Sequence, residues 1–95
     1  MNININQKNQ MEFSKQAKDL ISDFKSGKLK RRSSIAIKIA GLGMSLGYVG
    51  TGQEPYSSIT EMALDLEVPK KAYNHGGADY DKDWVKFTEI ISKLK

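Results

Sequence analysis

The stretch Ile35 to Val49 constrains this chain more than any other. It holds one charge, Lys38, and three glycines, Gly41, Gly43 and Gly47, and only Ser33-Ser34 separates it from the cationic run Lys28-Leu29-Lys30-Arg31-Arg32. In 95 residues without a cysteine, no disulfide or thiolate metal site can hold the fold, so this segment must be covered by other apolar surface. As a helix it is about 22 Å long, short of a hydrocarbon core of about 30 Å. Lys38 interrupts it as well, so a membrane span is not expected, even though Gly43-x-x-x-Gly47 has a spacing used by helices that associate in lipid.

Two local readings of Ser33–Gly50 are open. As a strand, Ile35, Ile37 and Ile39 alternate in register. As a helix, Ser33 or Ser34 caps it and Ile35, Ile39, Leu42, Leu46 and Val49 form one stripe. Ile37, Met44 and Tyr48 then fall on another face, which describes a helix apolar nearly all round and buried as the centre of the fold. The glycines each cost a helix about 1 kcal/mol relative to alanine, but they let a neighbouring backbone approach closely. The helix is the favoured reading.

Around it the periodicity is helical. Residues 1–10 read as a flexible polar arm, and residues 11–95 as one domain. Phe13, Ala17, Leu20, Ile21 and Phe24 recur every three to four residues, and Gly27 is a natural stop. Gly50–Pro55 reads as a loop. Ser58-Ile59-Thr60-Glu61 has the form of a capping box opening a short helix with Ile59, Met62, Ala63 and Leu66 inward. Pro69 suits the first position of another short helix, Lys70–His75. Asp79, Asp81 or Asp83 can cap a last helix that carries Trp84, Phe87, Ile91 and Leu94 on one side. The expected fold class is all-α, a small bundle of four to five short helices around the glycine-rich segment.

The net charge of +4 is unevenly spread. No acidic residue lies between Asp23 and Glu54, a window that holds Lys25, Lys28, Lys30, Arg31, Arg32 and Lys38. A basic half on a polar chain points to phosphate or to an acidic protein surface. The polar start MNININQKNQ has no secretory pattern, and with no cysteine a cytoplasmic setting is expected.

Several chemistries fail on their own requirements. Gly41-x-Gly43-x-x-x-Gly47 is a glycine-rich turn without the alternating strands of a dinucleotide fold, and there is no Gly-Lys-Ser/Thr. Asp79-x-Asp81-x-Asp83 starts like a calcium loop, but Trp84 stands at the required glycine and Ile90 at the bidentate glutamate. His75 is the single histidine and has no local catalytic partner. The cluster Lys28–Ser34 reads equally as a contact for phosphates or an acidic protein and as a solvated linker favoured at the end of the first helix, and Arg31-Arg32-Ser33-Ser34 also has the look of a basic-directed phosphorylation site. No enzyme, cofactor or metal is expected.

The segment Ile59–Tyr73 is similar to helix-turn-helix domains. Ala63 stands where two helices touch, Leu66 and Val68 pack the turn, and Tyr73 anchors the second helix. Glu67 departs from the glycine usual in the turn, and the second helix is cut short by Gly76-Gly77. The resemblance implies that Lys70, Lys71 and Asn74 face nucleic acid, with lysines on phosphates and asparagine on adenine, and that two copies form a homodimer. Lys28, Lys30, Arg31 and Arg32 would assist. The expectation is therefore a small non-enzymatic DNA-binding regulator. The alternative is a protein-binding inhibitor or interaction module, of the kind mobile elements encode, acting on an acidic or nucleic-acid-binding protein.

Overall fold

The computed structural model describes residues 5–73 and 77–94, and over them the chain is all-helical. Helix α1 spans Ile5–Lys25, α2 Arg32–Ser45, α3 Tyr56–Asp65 and α4 Gly77–Ser92, with one 3-10 turn at Lys70–Ala72. No helix among them is long and apolar enough to cross a membrane.

Helix α1 buries Phe13, Ala17 and Ile21, the face the periodicity picks out, with Leu20 and Phe24 packed beside them. It begins at Ile5, so residues 5–10 are helical where the sequence suggests an arm; residues 1–4 lie outside the described residues. Gly27 ends it at φ 88°: its amide donates to the Phe24 carbonyl and the Lys28 amide to that of Asp23. These are the two bonds of a Schellman stop.

Ser33–Ser45 is helical rather than extended, but residues 46–50 form turns beyond the helix end, and α2 is not buried all round. Ile35, Ala36, Ile39, Ala40 and Gly43 are covered, whereas Ile37 and Met44 are about half exposed, at 52% and 50%. The helices form a ring in which α2 packs on α3 and α1, and α4 closes the circuit between α3 and α1. In a ring of four short helices each keeps an outer face, so α2 is a corner and not an axis. Its glycines divide by role. A Cβ on Gly43 would collide with the Thr60 side chain, so Gly43 sets the close approach of α2 to α3. Gly47, at φ 79°, repeats the stop seen at Gly27, with its amide on Met44 and that of Tyr48 on Gly43. Gly41 is exposed, and nothing lies within 4 Å of where its Cβ would be.

Helix α3 starts at Tyr56, two residues before the expected capping box, and that box does not form. The Glu54 carboxylate accepts from the Ser58 amide at 3.0 Å, and the Ser57 hydroxyl donates to Glu61 at 3.1 Å. A carboxylate just outside the helix takes the place of a serine cap at its first turn. After Pro69 the expected helix Lys70–His75 is a 3-10 turn of three residues; positions 74–76 lie outside the described residues. Helix α4 buries Tyr80, Trp84, Phe87 and Ile91, with Leu94 beyond its end, and the Tyr80 hydroxyl donates to the Leu66 carbonyl at 2.9 Å.

Aromatic contacts pin the middle and the C-terminal end of α1. Phe13 meets Tyr48 and Tyr56 edge-on at 5.5 and 5.8 Å, and Phe24 meets Trp84 at 5.2 Å. The Tyr48 hydroxyl is buried without a hydrogen-bond partner among the described residues, and burial, then the neighbouring Tyr56, pushes its pKa up.

Candidate polyanion interface

The link between the two basic segments is Asp81, on the first half of α4. Its Oδ1 accepts from Arg32 Nη1 at 2.9 Å and its Oδ2 pairs with Lys70 Nζ at 2.9 Å. The Lys70 bond, then that of Arg32, holds the Asp81 carboxyl below its ordinary value of 3.8. Arg32 also lies over two ring faces, 4.9 Å from the centre of Tyr80 and 6.0 Å from that of Trp84. It is a strut that ties the start of α2 to α4. Lys70 ties the 3-10 turn to the same carboxylate.

Two of the seven expected partner-binding residues therefore have partners inside the chain. Their sequence neighbours do not. Lys28, Lys30, Arg31 and Lys71 are exposed and make no ion pair with any described residue, and Asn74 lies outside the described residues. Arg32 and Lys70 grip one carboxylate, so Arg31 and Lys71, 40 positions apart in sequence, each adjoin a residue anchored at Asp81.

The start of α2 adds to these cations. Its N-cap is Arg31, which makes no side-chain cap, and its first turn has no acidic residue. The amides of a first helical turn have no partner within the helix, and they carry the positive end of its dipole. The cationic turn Lys28–Arg31 thus leads into the positive end of a helix, with no carboxylate in that turn to neutralise it. Such an edge can hold phosphate or carboxylate oxygens.

Beside it, α3, α4 and the 3-10 turn make a groove lined by Asp65, Asp79 and Asp83 and by Lys82 and Lys86. The Tyr73 hydroxyl donates to Asp83 at 2.5 Å, and Asp65 and Asp79 face the same ring. That bond to Asp83, then burial, then the Asp83, Asp65 and Asp79 charges, push the Tyr73 pKa up to about 12. Among the described residues no group of three or more acidic or histidine side chains is placed to hold a metal ion.

Sequence reasoning missed Asp81, Tyr80 and Trp84 as the bracket for Arg32. Arg32 and Asp81 are 49 positions apart, so no local spacing could have paired them. Comparison with family models, with curated proteins and with solved structures gives no match.

Proposed function

We propose that this chain is a small non-enzymatic binding protein that holds a polyanion, duplex DNA first of all, on the edge formed by Lys28, Lys30, Arg31 and Lys71. One observation carries the reading: these four cations are exposed and unpaired among the described residues, while their neighbours Arg32 and Lys70 are tied down beside them. The contact is with backbone phosphates rather than base edges. A 3-10 turn of three residues is too short to lie in a major groove as a recognition helix. A regulatory role follows from occupancy of DNA and not from chemistry on it.

Binding to a random-sequence duplex at low salt, followed by fluorescence anisotropy, tests this. Replacing Lys28, Lys30 and Arg31 together by alanine is expected to weaken binding about tenfold or more. Alanine at Lys86 and Lys93, exposed on the far part of α4 and just beyond it, is expected to leave it near the parent value. The three-residue 3-10 turn at Lys70–Ala72 also favours a second reading, an acidic protein surface on the same edge. Absence of any DNA binding at low salt moves the function to that partner.

A further inference from the structure

The outer face of α2 has no occupant among the described residues, and we propose that it is the contact through which two copies pair, with the α2 helices antiparallel and crossing at Gly41. Gly43 and Gly47 have reasons inside the fold, in the Thr60 contact and the helix stop. Gly41 has none: it sits mid-helix, exposed, at a cost of about 1 kcal/mol relative to alanine. Ile37 lies one turn before it and Met44 almost one turn after it, both about half exposed, and the three fall within about 60° of one another around the helix.

A pair related by a two-fold axis needs a self-complementary surface, in which residue i meets j and j meets i. Antiparallel crossing at Gly41 gives that match: the glycines meet, and each Ile37 packs on Met44 of the other copy. Charge favours the same orientation. Helix α2 has no acidic residue in its first turn and no basic residue in its last, so neither end carries the charge that complements its own dipole. An antiparallel second copy brings Lys38 to the other helix's last turn, at Met44–Ser45. A parallel copy sets Lys38 on Lys38 and one cationic turn on the other.

The face is one helix wide and 14 residues long. That is far below the ~800 Å² per partner of a standard interface, so the pair is a weak one that grows with concentration. A consequence rests on the polyanion reading. Arg32 lies nine positions before Gly41, so in the pair the two α2 starts lie about 27 Å apart. The turns Lys28–Arg31 precede those starts, so a pair presents two cationic turns to one polyanion.

Single-cysteine variants of the full chain test the pairing without nucleic acid, since the parent has no thiol. With oxidised glutathione, Gly41→Cys is expected to give a disulfide-linked dimer about tenfold faster than Ser22→Cys, on the exposed side of α1. A mixture of Ile37→Cys and Met44→Cys is expected to cross-link faster than either alone. Circular dichroism checks that each variant folds. Equal rates for Gly41→Cys and Ser22→Cys overturn the pairing, and so does faster linking of Ile37→Cys with itself than with Met44→Cys. Failure to cross-link with DNA binding intact overturns the pairing alone. Cross-linking without DNA binding overturns the polyanion reading alone.

Discussion

At the scale of single residues, Asp81 decides which cations are free. Asp81→Asn removes both ion pairs at once, so stability should fall while the polyanion edge gains the charges of Lys70 and Arg32. DNA binding by this variant is expected to be tighter than that of the parent, with a lower melting temperature, both measurable on one preparation. The pH dependence has a definite sign. A carboxyl held below its ordinary 3.8 contributes stability above that pH and loses it as pH falls through the lowered value, so acid melting should be shallower in Asp81→Asn. Tyr73 works at the other end of the scale. Its folded pKa is raised, so its contribution is complete below 10 and is lost as pH rises towards about 12. Ultraviolet titration of tyrosinate should show a late-titrating group that Tyr73→Phe removes. None of these partners was legible in the sequence. Arg32 and Lys70 looked like any other solvent-facing cation, because the carboxylate that captures them lies on a helix reached only after the chain has closed its ring.

At the scale of elements, the three glycines of α2 make opposite predictions. Gly41→Ala should raise stability by up to about 1 kcal/mol, since nothing crowds the new methyl. Gly47→Ala should lower it by about 1–2 kcal/mol, because its backbone sits at φ 79°. Gly43→Ala should also lower it, since the methyl meets Thr60 at the α2–α3 contact. Denaturant unfolding of the three variants measures the series. The sequence shows the glycines but cannot rank them, because the ranking depends on what α3 brings alongside. Helices α1 and α4 were legible for the opposite reason: their inward residues recur at helical spacing, and the stop at Gly27 is local chemistry. The start of α3 was misread because Ser58 and Glu61 fit a capping pattern while Glu54, four residues before Ser58, takes the cap. The second half of the helix-turn-helix resemblance fails at Pro69, after which the chain makes one 3-10 turn.

At the scale of the whole molecule, a ring of four helices gives each an outer face, and the chain's asymmetry of charge becomes an asymmetry of surface. One core serves all four helices. Phe87, fully buried on α4, should cost about 3–5 kcal/mol as alanine. That is a large share of the 5–15 kcal/mol that holds a typical domain. The class of the fold was legible because apolar spacing is helical along most of the chain. The proposed interface was legible only as a set of candidate cations, since which of them pair within the chain is decided by tertiary structure. The central claim is that the free cations Lys28, Lys30, Arg31 and Lys71 meet phosphates, and counterion release measures this directly. Four phosphate contacts per bound chain predict that log K falls against log salt with a slope of about −3 to −4 on duplex DNA. Each Lys→Ala or Arg→Ala change at these positions should reduce that slope by about one. A slope near zero, or one that the four substitutions leave unchanged, contradicts the account.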